Sequence, residues 1–129
     1  MRILLLILII AACSCVRAET VIHKEKSLYR NIEVKESSYR RCLVFAVKRG
    51  ARNQTCINLA DPDRVVFPYA RMTFAGLLLN PEPASVLIIG LGGGTIPTVL
   101  SRLYPEATIH IVEIDAAVVR VAKKYFNFT

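Results

Sequence analysis

Between residues 27 and 59 apolar and polar positions alternate with the period of two expected of a half-buried strand. Ile32-Glu33-Val34 alternates, and Leu43, Phe45 and Val47 share one strand face while Val44 and Ala46 share the other. Asp61-Pro62-Asp63 then reads as a turn. The period next changes to three and four. Phe67, Ala70, Phe74, Leu77 and Leu78 predict a helix over about 68–79, opened by Pro68 and closed by Asn80-Pro81 with Pro83. Ser85-Val86-Leu87-Ile88-Ile89 is a continuous apolar run, the pattern of a strand buried on both faces of a parallel sheet. After Gly90-Leu91-Gly92-Gly93-Gly94, a helix over about 95–103 places Ile96, Val99, Leu100 and Leu103 on one face, with Pro97 tolerated in its first turn. Pro105-Glu106 breaks it, and residues 108–114 predict a second buried strand. Asp115 suits the N-cap of a last helix, 116 to about 126, whose Val118, Val119, Ala122 and Phe126 are expected to face the sheet. The succession is β hairpin, helix, then β-α-β-α.

The hairpin carries two cysteines. A three-residue loop at Lys48-Arg49-Gly50, with Gly50 in the left-handed region, pairs residues whose numbers sum to 98, and Cys42 and Cys56 satisfy that sum. They are expected either as a cross-strand disulfide or as two small buried thiols. The other two cysteines, Cys13 and Cys15, stand in a different kind of segment. Residues 1–18, MRILLLILIIAACSCVRA, combine Arg2, an apolar stretch too short for a bilayer core of roughly 30 Å, and Val16-Arg17-Ala18, similar to a signal-peptidase site. Export, secreted or periplasmic, is the expectation. Ile10-Ala11-Ala12-Cys13 also resembles a lipobox, so a membrane-anchored lipoprotein through Cys13 is the alternative.

At 129 residues the chain holds one domain's worth of core, and 53% hydrophobic with 21% charged residues excludes a disordered chain. The formal charge of +7 falls to +5 without Arg2 and Arg17 (7 − 2 = 5). Arg40-Arg41 and Lys123-Lys124 are isolated basic pairs rather than a phosphate-tracking stripe, so no nucleic-acid partner is expected. No CxxC or Cys/His cluster suggests a metal.

The candidate chemistry lies in the β-α-β unit. Gly90, Gly92, Gly93 and Gly94 stand between a strand and a helix, where missing side chains allow a sharp turn and close approach to backbone amides. Glu113 ends the next strand, 23 residues after Gly90 (113 − 90 = 23), near the spacing of an acid that accepts both hydroxyls of a ribose. A nucleoside-type small molecule is the expected ligand; the alternative is a tight β-α turn with a surface Glu. The third glycine of Gly90-x-Gly92-x-Gly94 comes too early for the dinucleotide fingerprint, which favours an S-adenosyl ligand over NAD.

Ser27-Leu28-Tyr29-Arg30-Asn31-Ile32-Glu33-Val34, the hairpin, the helix around Tyr69, Val86-Leu87-Ile88-Ile89-Gly90 and Ile111-Val112-Glu113-Ile114-Asp115 through Lys124-Tyr125-Phe126 resemble, in that order, the N-terminal half of the spermidine synthase (polyamine aminopropyltransferase) family. The resemblance implies an α/β chain: a small N-terminal β-hairpin domain followed by an incomplete Rossmann-like, S-adenosylmethionine-dependent methyltransferase-type fold. After the signal-peptide or lipoprotein leader (1–18), it divides the sequence into an N-terminal β region (19–66) and a partial Rossmann-like nucleoside-binding domain (67–129). It implies decarboxylated S-adenosylmethionine, or S-adenosylmethionine itself, as ligand, with Glu113 on the ribose and Tyr69 toward the substrate.

The departures fall where the resemblance puts the chemistry. The family has Gln where this chain has Arg30, Tyr-His-Glu where it has Tyr69-Ala70-Arg71, and an Asp in the glycine loop where Gly92-Gly93-Gly94-Thr95 has none. An inward Arg71 would repel a cationic amine. The family's catalytic Asp follows the fourth strand of its sheet, beyond the two parallel strands here, so no catalytic residue is assigned. A two-stranded parallel sheet leaves edges open, which implies either a truncated fragment or a homo-oligomer or second chain completing the sheet, and a protein inactive alone. The Asp-less loop points alternatively to a methyltransferase-like protein, and the leader to a non-catalytic exported binding or assembly module.

Overall fold

The computed structural model describes residues 18–47 and 50–129. The leader reading therefore lies outside the described residues except for Ala18, and so do Lys48 and Arg49 of the hairpin loop. Among the described residues no helix is long and apolar enough to cross a membrane.

Four strands, β1 (Thr20–Lys26), β2 (Asn31–Glu36), β3 (Arg40–Val47) and β4 (Gly50–Asn58), form an antiparallel meander in the order β1-β2-β3-β4. Strand β1 is an addition to the sequence reading, which begins the β structure at Ser27. Its register shifts between Val21 and His23, which breaks the alternation, and as an edge strand it carries Lys24, Glu25 and Lys26.

The hairpin loop is corrected as well. Val47 pairs with Gly50, so two residues separate the strands and the pairs nearest the turn sum to 97. A bulge between Leu43 and Val44, opposite Thr55 and Asn53, then inserts Gln54 and moves the sum to 98. Cys42 consequently faces Cys56, and the two are joined by a disulfide. Gly50 has φ +121°, as a turn glycine should.

Helix α1 spans Pro68–Thr73 with Pro68 at its start, and a 3-10 turn, Phe74–Leu78, continues it. The predicted helix thus tightens halfway. Gly76 lies in the 3-10 part and its carbonyl accepts the amides of Leu79 and Asn80, while Leu78 is exposed rather than on a buried face. Strands β5 (Ser85–Ile89) and β6 (Thr108–Val112) pair in parallel through helix α2 (Thr95–Leu103), and helix α3 (Ala116–Tyr125) follows. Strand β6 ends at Val112, and the side chain of Glu113 turns back onto the Leu91 and Asp115 amides.

The expectation of strands buried on both faces is not met. Val86, Ile88, Ile109 and Ile111 are half-buried, but Leu87 is 62% and Ile89 83% exposed. Helix α3 also faces elsewhere than expected. Its Val118, Val121, Ala122 and Phe126 form the core with Ile32, Val34, Leu43 and Ile57 of the antiparallel sheet, Ile111 lying at the margin. Val121 joins the buried set and Val119 is only partly buried.

Polar ties hold the same packing together. Asp115 caps α3 by accepting the Ala117 amide at 3.0 Å and the Ser27 hydroxyl at 2.6 Å. Arg41 donates to the Tyr125 carbonyl at the other helix end at 2.8 Å, and Arg120 pairs with Glu25 of β1. The N-terminal β region and the glycine loop therefore share one core.

Candidate functional site

Strand β5 delivers its chain end to the turn. The Gly90 amide still bonds the Val112 carbonyl at 2.7 Å, and Gly90 then leaves the strand with φ +92°. A side chain there would meet nothing within 4 Å. The other three glycines have a different reason. A Cβ on Gly92 would lie 2.8 Å from the Thr55 hydroxyl, on Gly93 2.7 Å from the Thr55 methyl, and on Gly94 2.7 Å from the Phe128 ring. These positions lack side chains because β4 and the C-terminal residues pack against them. The Gly93 amide, expected to be open to a ligand, instead donates to Thr55 Oγ1 at 3.0 Å.

Glu113 closes the other side of the turn. Its Oε2 accepts the Leu91 amide at 2.8 Å and its Oε1 accepts the Asp115 amide at 3.0 Å. Each carboxylate oxygen keeps a further lone pair for a ligand hydroxyl. Helix α2 begins beside it with no side-chain cap, and the buried Thr95 hydroxyl has no hydrogen-bond partner.

These groups line a cleft of about 800 Å³ whose walls include Gly90, Thr95, Glu113, Gln54, Tyr69 and Arg30. The β4 bulge shapes it: Gln54 presents its carbonyl to Tyr69 Oη at 2.9 Å, and Thr55 reaches the glycine loop. Tyr69 is thus at the cleft, stacked with Phe67 at 5.8 Å between centroids. Arg71 is not in the wall; it is exposed and donates to the Val66 carbonyl. Arg30 does line the cleft, with its guanidinium 4.3 Å above the Phe45 ring. Cys56 borders the same space. Among the described residues no three His, Cys, Asp or Glu side chains converge as a metal-ligand set.

The structure brings the glycine loop, Glu113 and Tyr69 to one cleft. The sequence analysis gave no site role to Gln54, Thr55 or Thr95. Thr55 reaches the loop through a strand whose bulge no local pattern announces.

Comparison with known proteins agrees with this geometry. Residues 67–129 match the spermine/spermidine synthase domain. A polyamine aminopropyltransferase of Vibrio vulnificus is 54% identical over 111 residues, covering 84% of this chain and 37% of the relative. An eEF1A lysine and N-terminal methyltransferase of Xenopus laevis is 35% identical over 82 residues, 58% of this chain and 12% of that protein. Among solved structures, a probable spermidine synthase from Corynebacterium glutamicum superposes with TM-score 0.62 at 22% identity, over 83% of this chain and 40% of that one. A spermidine synthase solved with the transition-state analogue AdoDATO has TM-score 0.58 at 29% identity, over 83% and 35%. The chain thus spans well under half the length of these relatives. Residues 67–129 are therefore a spermine/spermidine synthase domain, in a chain similar over most of its length to a polyamine aminopropyltransferase.

Proposed function

We propose that the cleft holds the nucleoside of decarboxylated S-adenosylmethionine and belongs to an aminopropyltransferase. The observation that carries this reading is Glu113, fixed at both oxygens by the Leu91 and Asp115 amides with lone pairs left for two ribose hydroxyls. The residues fit the group: Gly90 leaves room for close approach, and the Thr95 hydroxyl is buried without a partner. The transfer this donor supports forms a C–N bond from an acceptor amine to the aminopropyl carbon. The C–S bond breaks with its electron pair staying on sulfur, which leaves as methylthioadenosine, and the nitrogen loses a proton. No described residue is assigned as the base.

Isothermal titration with methylthioadenosine, decarboxylated S-adenosylmethionine, S-adenosylmethionine and NAD tests the reading. Binding of the first two, weakened about tenfold or more in Glu113→Gln, is expected from losing charge-assisted hydrogen bonds. No heat with any S-adenosyl compound, or tighter binding of NAD, would overturn it. A methyltransferase is the second reading, supported by the Asp-less Gly92-Gly93-Gly94-Thr95 and the likeness to the Xenopus methyltransferase. Preference for S-adenosylmethionine over its decarboxylated form would favour it.

Residues 1–18 support export of this protein, which a fusion to a reporter active only outside the cytoplasm tests. The exposed Leu87, Ile89 and Val112 support a second copy or a further chain over that sheet face. Sedimentation of the purified protein as a monomer would sink the first of these.

A further inference from the structure

We propose that Thr55 is a positioning residue for the donor nucleoside, holding the glycine loop in the form that the ribose site at Glu113 requires. This rests on the reading of the cleft as a nucleoside site and adds to it a residue from outside the β-α-β unit.

The loop needs an external hold. Gly93 lies between Gly92 at φ +58° and Gly94 at φ +80°, and both neighbours can leave those values at little steric cost. The Thr55 hydroxyl ties the middle of this segment through a buried hydrogen bond from the Gly93 amide at 3.0 Å. That tie passes on to the acid. The Gly94 amide donates to the Leu91 carbonyl at 3.0 Å, and the Leu91 amide donates to Glu113 Oε2 at 2.8 Å. Release at Gly93 therefore loosens the amide that orients the Glu113 carboxylate.

Thr55 is itself firmly placed. It is buried, and the next residue, Cys56, is joined to Cys42 across the strand pair. The residue before it, Gln54, sits in the β4 bulge, and its carbonyl accepts the Tyr69 hydroxyl at 2.9 Å. Consecutive residues of one strand thus hold the glycine loop and Tyr69 on walls of the same cleft. A site whose parts are set before the ligand arrives loses less ordering entropy on binding. The Thr55 hydroxyl supplies that order for the loop, so its removal should lower nucleoside affinity by loosening the ribose site.

The test titrates methylthioadenosine into the full chain as the parent, Thr55→Ser, Thr55→Val, Glu113→Gln and Thr55→Val/Glu113→Gln. Each is held at a temperature where circular dichroism shows it folded. Thr55→Val should weaken binding about tenfold, the equivalent of one lost buried hydrogen bond, and Thr55→Ser should stay within about twofold of the parent. Because Thr55 acts through Glu113, the loss from Thr55→Val should shrink to about threefold or less in the Glu113→Gln background. A residue that only supports the fold would weaken binding by the same factor in both backgrounds. Parent-like binding by Thr55→Val, equal losses in the Ser and Val variants, or one factor with and without Glu113 would overturn the proposal. Should Thr55→Val not fold, amide exchange in the parent decides. Gly93 should open locally, ahead of Val34 in the core, and methylthioadenosine should slow that opening; exchange at Gly93 indifferent to the ligand would overturn the proposal. Failure of the parent to bind methylthioadenosine would instead overturn the nucleoside reading, and this inference with it.

Discussion

The Thr55 hydroxyl accepts the Gly93 amide at 3.0 Å, so a strand of the antiparallel sheet holds the loop between β5 and α2. Thr55 is 7% exposed, which leaves no water to replace the bond if it is lost. Thr55→Val keeps the shape and strands the amide, an expected cost of about 1–3 kcal/mol in denaturant unfolding. Amide exchange at Gly93 should accelerate in the same variant. Thr55→Ser, which keeps the oxygen, should retain slow exchange; equally fast exchange in both would show that the hydroxyl is not the restraint.

Two glycines in the same loop should respond differently to alanine. Gly94 has φ +80° and its added methyl would meet Phe128, whereas Gly90 has φ +92° and open space. Gly90→Ala carries only the backbone penalty, about 1–2 kcal/mol. Gly94→Ala adds overpacking and should cost about 2–4 kcal/mol. The ordering of their thermal midpoints checks the packing reason for Gly94.

The Cys42–Cys56 disulfide closes a separation of 14 residues. Chain-entropy arguments assign about 3 kcal/mol to a loop of that size. Unfolding of the oxidised protein against Cys42→Ala/Cys56→Ala is expected to differ by about that amount. Two titratable thiols in denatured, unreduced protein, at these positions, would contradict the pairing.

Acid should weaken the attachment of β1 to α3. A hydrogen bond from Arg120 holds the Glu25 carboxyl below the usual carboxylate range, partial burial opposes this, and His23 lowers it further. Because the folded value is depressed, the contribution is complete above the unfolded carboxylate range, about pH 4–4.5, and is lost as pH falls below it through the folded value. The site is solvent-exposed, so the effect is modest. Glu25→Gln should lower the neutral plateau slightly and leave the low-pH stability close to that of the parent, so that the acid limb of a stability–pH curve is flatter.

Local physics decided the order and kind of most elements. The apolar run 85–89, the helical spacing at Ile96, Val99 and Leu100, and Asp115 ahead of an apolar stripe are each legible within a few residues, and each forms where that pattern puts it. The glycines and the acid 23 residues beyond Gly90 were legible for the same reason: a β-α-β unit of that length brings them together. What α3 packs against was not legible. Its stripe fits any apolar face, and only the assembled chain sets Val118, Val121 and Ala122 against Ile32, Val34 and Leu43. Strand β1 and the Gln54 bulge depend on pairing partners rather than on their own periodicity. The tertiary structure likewise decided why Gly92, Gly93 and Gly94 are bare, since Thr55 and Phe128 fill that space from distant parts of the chain. Periodicity reports which side of an element is apolar; which surface meets it is a property of contacts between residues far apart in sequence.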